Sequence, residues 1–294
     1  MVEYLYRIFK VKLLNLKVLK ICGMVQTFSK RVVEELIGYL KERVDAKVKD
    51  VRIGIFYTGV KLSTGHGGVA FTPRDEVMEA TCCNKSHHKM AKAGNLSGMD
   101  LKEALELSKN ENPLMRAIGI ASINASSQIL LPYENYDVSN LDPLDLVEVR
   151  RDDTVTMVGA FPSYIRRIRG FAKRLYVFDY NKRALKEHGL LEPPVSLEEA
   201  LEESNFIIAT GSIFITETAD LIIDRASKAR ELIIVGPTAS MIPKPLFDRG
   251  VTCIGGIKIN NADKMLQIVS EAGAGKALLA HCAEKYTIRK FKKL

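Results

Sequence analysis

Cysteine is scarce in this chain of 294 residues: there are five, Cys22, Cys82, Cys83, Cys253 and Cys282. An odd, small number at this length excludes a legible disulfide framework and points to a reducing cytoplasm. The start of the chain also lacks an uninterrupted apolar run approaching the roughly 20 residues that a membrane span needs. The opening segment VEYLYRIFKVKLLNLKVLKICG is interrupted every few residues by lysine or arginine, and no small-residue cleavage site follows a clean apolar core. No Walker loop, HExxH, Ser-His-Asp order or carboxylate pair stands out, so the sequence names no catalytic nucleophile. The body of the chain also lacks an excess of charge. Half of the net +8 comes from residues 1–23, where Arg7, Lys10, Lys12, Lys17 and Lys20 face Glu3 alone, and the tail adds Lys285, Arg289, Lys290, Lys292 and Lys293. Basicity confined to the ends, without interleaved base-stacking aromatics, argues against a nucleic-acid-binding face.

What remains is an ordinary globular composition, 47% apolar and 27% charged, at a length that suggests about two domains. Residues 1–23 read as a basic amphipathic extension, with Met24 the expected working start. Residues 24–132 read as an α+β domain. Helical spacing runs over 28–44, a strand over 48–62, a turn at Gly65-His66-Gly67-Gly68 with a return strand over 69–73, and helices over 101–107 and 113–131. Residues 133–153, rich in Pro, Asn and Asp, read as a linker.

From 154 to 290 apolar strands alternate with helical segments. Strands are expected at 155–159, 174–179, 206–210, 232–235 and 251–254, and helices at 163–171, 197–203, 217–229 and 243–248. The segments 264–272 and 276–286 close the chain as helices. Short strands buried on both faces and joined by helical crossovers mean a doubly wound parallel sheet, of five or six strands.

Ligand chemistry is expected at the carboxyl ends of those strands. Gly159-Ala160-Phe161-Pro162-Ser163 occupies the place of a dinucleotide-binding glycine loop but lacks its second and third glycines. Asp179 ends the second strand, where an acid commonly takes ribose hydroxyls. Thr210-Gly211-Ser212 and Gly236-Pro237-Thr238-Ala239-Ser240 follow the third and fourth strands. Tight strand-to-helix turns want Gly, Ser and Thr in any case, yet three such turns on one sheet edge favour a ligand crevice. Asn124, inside a small apolar helix, needs partners from neighbouring backbone or from a ligand. Arg74 could clamp a carboxylate or phosphate, or pair with Asp75 or Glu76. Cys82-Cys83-Asn84-Lys85-Ser86-His87-His88 offers donors for a soft or borderline divalent metal, with His66 as a further donor, although Lys85, Lys89 and Lys92 oppose a cation.

The motifs VGAFP at 158–162, IATGS at 208–212, IGIASINA at 118–125 and the run ELIIVGPTASMIPKPLFDRGVTCIGGIKINNAD at 231–263 together resemble the family described as "putative heavy-metal chelation", over residues 24–288. The resemblance implies an enolase amino-terminal-like domain followed by a Rossmann-like domain. It also implies that Thr72-Pro73-Arg74-Asp75 approaches the cleft between them.

Two functional classes follow. One is a small-ligand-binding protein, with turnover left open, using Arg74, Asn124, Gly159, Phe161, Asp179, Thr210, Gly211, Gly236, Thr238 and Ser240 around an interdomain crevice. Its ligand would be nucleotide-like or pterin-like, tied to chelator metabolism. The other is direct metal binding through Cys82, Cys83, His87 and His88. A non-catalytic interaction module is the fallback. A two-fold homodimer is expected, with Val69, Ala70 and Phe71 on an edge strand.

Overall fold

The computed structural model describes residues 31–74 and 92–290. The extension over 1–23 and the cluster Cys82, Cys83, His87 and His88 lie outside the described residues. Helix α1 (Arg31–Lys41) buries Val32, Val33, Leu36, Ile37 and Leu40 along one stripe, the pattern of an amphipathic helix laid on a core. The expected single strand over 48–62 is two strands, β1 (Val48–Ile53) and β2 (Tyr57–Leu62). The chain bends at Gly54, whose amide donates to the Tyr57 carbonyl at 2.9 Å and where a side chain would run into the Val269 carbonyl. With β3 (Gly67–Phe71) these strands form an antiparallel meander in the order β1-β2-β3.

Two helices follow, the second of them packed on that sheet. α2 (Leu101–Glu106) is capped by Asp100, whose carboxylate accepts from the Lys102 amide. α3 (Pro113–Leu130) starts with Asn112 as cap and Pro113 in its first turn, and residues 115–128 are buried without interruption. By length and composition α3 could cross a membrane, but most of it is enclosed by the fold. It is hydrophobic nearly all round because it is a core helix with protein on both sides. Its small residues permit close approach: a side chain at Gly68 of β3 would collide with the backbone of Ala121 and Ala125. Ser122, Ser126 and Ser127 return their hydroxyls to carbonyls one turn back, at 2.7–2.8 Å, so the buried polar atoms are satisfied locally.

The second sheet has seven strands in the order β4-β10-β9-β8-β7-β5-β6. β5 (Thr154–Val158), β6 (Arg174–Phe178), β7 (Phe206–Thr210), β8 (Glu231–Val235) and β9 (Cys253–Ile259) are parallel. Side chains alternate between two cores. Phe206, Ile208, Ile233 and Val235 face one side with Val155 and Met157, while Ile207, Ala209, Leu232 and Ile234 face the other, in one continuous cluster with α1 and α3. The connecting helices are α5 (Pro162–Ile168), α6 (Lys182–Glu187), α7 (Leu197–Glu203), α8 (Ala219–Arg225) and α9 (Pro243–Asp248), with α10 (Ala262–Ser270) and α11 (Gly275–His281) near the end. The segment 133–153 contributes β4 (Val138–Ser139) and α4 (Pro143–Leu146).

One expectation is corrected at the end of the chain. The segment 276–286 is not a single helix: α11 stops at His281, and β10 (Ala283–Arg289) runs antiparallel to β9, with β4 antiparallel beyond it. The β-branched pair Thr287-Ile288, buried beside Tyr286, makes the strand. The five parallel strands, numbered along the chain, stand in the order 2-1-3-4-5. The winding direction therefore reverses between β5 and β7, and a crevice opens at such a reversal.

Candidate functional site

A cavity of about 830 Å³ sits at that reversal, within the size range of small-molecule sites. Its floor is the turn after β5, with Gly159, Ala160 and Phe161. One wall is the end of β6 with Phe178, Asp179 and Tyr180, and the opposite wall is Thr210, Ser212, Ile213, Thr216 and Thr218 after β7. Leu185, Val195 and Leu197 add aliphatic surface, and Phe71, Pro73 and Arg74 close the site from the first domain.

Local chemistry fixes the floor. Gly159 has φ of 92°, a conformation that favours glycine, and its amide donates to the Phe178 carbonyl at 2.7 Å. The Asp179 carboxylate accepts from the Ala160 amide through Oδ2 and from the Asn181 amide through Oδ1, each at 2.7 Å. Those two bonds lock the carboxylate against the turn. Phe161 leans on Tyr164 with ring centroids 5.5 Å apart, and burial, followed by Asp142, holds the Tyr164 hydroxyl above its ordinary range. Hydroxyls come in pairs: Thr210 with Ser212 at 3.0 Å, and Thr216 with Thr218 at 3.0 Å. Lys182 pairs with Glu192 at 2.6 Å across the rim, and the Arg74 guanidinium lies 5.2 Å from the centre of the Phe56 ring.

The β7–α8 wall is held from behind. Arg116 of α3, almost wholly buried, donates Nε to the Ile215 carbonyl at 2.7 Å and Nη1 to the Asn110 carbonyl at 2.8 Å. Its Nη1 also meets the Glu217 carboxylate at 3.0 Å. Glu217 has φ of 57°, an uncommon conformation for a residue with a side chain. The first domain thus pins the loop that carries the cavity's hydroxyls.

The structure brings Arg74, Gly159, Phe161, Asp179 and Thr210 together around the cavity. Asn124, Gly211, Gly236, Thr238 and Ser240 stand elsewhere. Asn124 Nδ2 donates to the carbonyls of Val69 at 2.7 Å and Thr238 at 3.0 Å, tying β3 to the turn after β8. Its Oδ1 is buried with no hydrogen-bond partner. The Thr238 hydroxyl accepts from the Phe71 amide at 2.9 Å. Ser240 donates to the Pro237 carbonyl and accepts from the Ile257 amide at 2.9 Å. A side chain at Gly211 would collide with the backbone of Thr238 and Ala239. The 236–240 turn is therefore packing between the domains, with its hydroxyls already engaged. The same contacts use outward-facing backbone groups of β3, the strand expected at a dimer edge.

Phe71, Phe178, Tyr180, Lys182, Glu192 and Arg116 emerge only from the structure as candidate-site residues. Arg116 carried a readable signal, a lone charge inside the apolar run 114–131. Among the described residues no group of three His, Cys, Asp or Glu side chains could hold a metal ion. His66 sits near the β2–β3 turn, with Nδ1 3.1 Å from the Thr64 hydroxyl. Cys253 and Cys282 are buried and free, and burial pushes the Cys253 thiol up to about 12, which makes it a poor thiolate donor.

The comparisons with known proteins agree with this architecture. Two family models, both described as "putative heavy-metal chelation", match residues 33–127 and 142–288. An uncharacterised protein of Methanocaldococcus jannaschii is 28% identical over 262 residues, 87% of this chain and 95% of that protein. A crystal structure of a protein of unknown function from Pyrococcus horikoshii superimposes with a TM-score of 0.72 at 27% identity, over 90% of this chain and 100% of that one. A second, from Desulfitobacterium hafniense, gives 0.69 at 20% identity, over 89% and 98%, and speaks for the fold alone. With both models matched in order and the fold shared, this chain belongs to the "putative heavy-metal chelation" family.

Proposed function

We propose that this protein binds a small organic molecule in the cavity at the β5/β7 reversal. The observation that carries the reading is the convergence there of a locked carboxylate, paired hydroxyls and aromatic walls, closed by Phe71 and Arg74 of the other domain. Sites at sheet reversals and domain interfaces are where ligands commonly bind. A link to heavy metals then arises through a chelating molecule or its precursor.

A thermal-shift panel of nucleosides, nucleotides, S-adenosylmethionine, pterins and metal chelators tests the reading. Stabilisation by RT ln(1 + [L]/Kd) is expected for a compound that binds the folded state. A flat response across the panel counts against it.

The family description favours a second reading, direct metal binding through Cys82, Cys83, His87 and His88. Elemental analysis of protein purified without chelators separates the two. Metal that is present in the wild type and lost in Cys82→Ser and His87→Ala supports direct binding; metal-free wild type removes it.

A further inference from the structure

Resting on the small-ligand reading above, we infer that the ligand of this cavity is a ribonucleoside or a molecule built on one, with its two adjacent ring hydroxyls on Asp179. A glycine loop holds a pyrophosphate by pointing free backbone amides at it. Here the Gly159 amide is spent on the Phe178 carbonyl and the Ala160 amide on Asp179. Pro162, at the start of α5, has no amide hydrogen to give. A fixed carboxylate also stands at the turn, so a phosphate placed against Gly159 and Ala160 would meet a like charge where the amides are already spent.

The same arrangement suits a pair of hydroxyls. An ionised carboxylate accepts about four hydrogen bonds, two on each oxygen. The Ala160 and Asn181 amides take one on each oxygen of Asp179, which leaves one acceptor position on each oxygen of a group that borders the cavity. Two hydroxyls on adjacent carbons match two adjacent acceptor oxygens, and bonds to a charged acceptor are the stronger kind. The carboxylate is also aimed in advance, since a backbone amide holds each of its oxygens. Phe161, Phe178 and Tyr180 stand around this end of the cavity, with Leu185, Val195 and Leu197 as aliphatic surface. That combination suits a flat heteroaromatic ring joined to a hydroxylated sugar. The volume of about 830 Å³ leaves room for a further substituent, and Arg74 offers a cation to its acidic end.

The test is binding of adenosine, guanosine, cytidine and uridine to the full chain by calorimetry, each beside its 2′-deoxy counterpart. We expect at least one ribonucleoside to bind and its deoxy form to bind about tenfold more weakly or worse, because a site built around a hydroxyl leaves its own polar group unpaired without it. Asp179→Asn should weaken the ribonucleoside by at least about tenfold and its deoxy form, which keeps only the 3′-hydroxyl on that carboxylate, by less. The wild-type comparison stands even if that variant does not fold. Equal binding of ribo and deoxy forms overturns the inference. Binding of a pterin or chelator with none of the nucleosides overturns it too, while leaving the small-ligand reading intact. No binding by any compound removes both.

Discussion

The turns that follow β7 and β8 are nearly the same in chemistry and opposite in use. Thr210-Gly211-Ser212 and Gly236-Pro237-Thr238-Ala239-Ser240 both leave buried parallel strands at the same sheet edge, and both offer hydroxyls. The Thr210 and Ser212 hydroxyls bond each other beside an open cavity. The Thr238 and Ser240 hydroxyls are consumed by the amides of Phe71 and Ile257, and Asn124 holds the Thr238 carbonyl from the far side. What decides is the neighbour. β3 and α3 of the first domain press directly on the second turn and only border the first. A hydroxyl-rich turn at a strand end is thus open to a ligand only where no other element has claimed its polar atoms.

The largest expected effect comes from the contact that supports the open wall from behind. Arg116→Ala removes donors to Ile215 and Asn110 and the partner of Glu217, and should cost about 2–4 kcal/mol in urea unfolding. It should also weaken any ligand of the cavity by loosening the 211–218 loop. If ligand affinity holds while stability falls, Arg116 supports the fold but not the wall.

Asn124→Ala is the direct probe of the closed turn. It removes the Asn124 bridge between the Val69 and Thr238 carbonyls, leaving the Phe71–Thr238 bond, but also removes the orphaned Oδ1, so the expected loss is about 1–3 kcal/mol. Ser212→Ala in the open turn should stay within about 0.5 kcal/mol. A reversed order of these two losses, read from denaturant midpoints, breaks the comparison.

The contact between α1 and α8 carries a pH signature. Asp220 of α8 is fully buried, accepts from the Val32 amide at 3.2 Å and has Arg249 at 3.6 Å, with Asp224 and Arg31 as the other nearby charges. Burial pushes its carboxyl up to about 6, above the unfolded value of about 3.9. The folded state therefore holds this proton more tightly than the unfolded state does. The charged form penalises folding fully above about pH 6, and the penalty fades as pH falls toward about 4. Asp220→Asn should be more stable than wild type at pH 7.5, by about 1–2 kcal/mol, with the gap closing toward pH 4. A gap that is constant with pH contradicts this.

Much of the second domain was legible because buried parallel strands are continuous β-branched runs, as in Val155–Val158 and Leu232–Val235. β10 was not, since Glu284 and Lys285 mask its first half and the preceding helix runs almost into it. The β1–β2 bend depends on Gly54 meeting Val269, far along the chain, which no local pattern records. The site divides the same way. Gly159, Phe161, Asp179 and Thr210 were readable because strand ends at a sheet reversal are special wherever they occur. The role of Thr238 and Ser240 was not, because their partners lie on β3 and β9 and carry no mark in the turn itself.

Tyr180 gives the smallest effect. Its side chain is 81% exposed at the cavity rim, so Tyr180→Ala should leave the melting temperature unchanged, within about 0.5 kcal/mol, and act on ligand affinity alone.

The most direct test of the ligand cavity is amide hydrogen exchange with and without the compound that stabilises the protein most. Protection confined to 158–161, 178–182 and 210–218, with 236–240 unchanged, is the expected result. Protection centred on 236–240, with the β5, β6 and β7 turns unaffected, would contradict the assignment of the site.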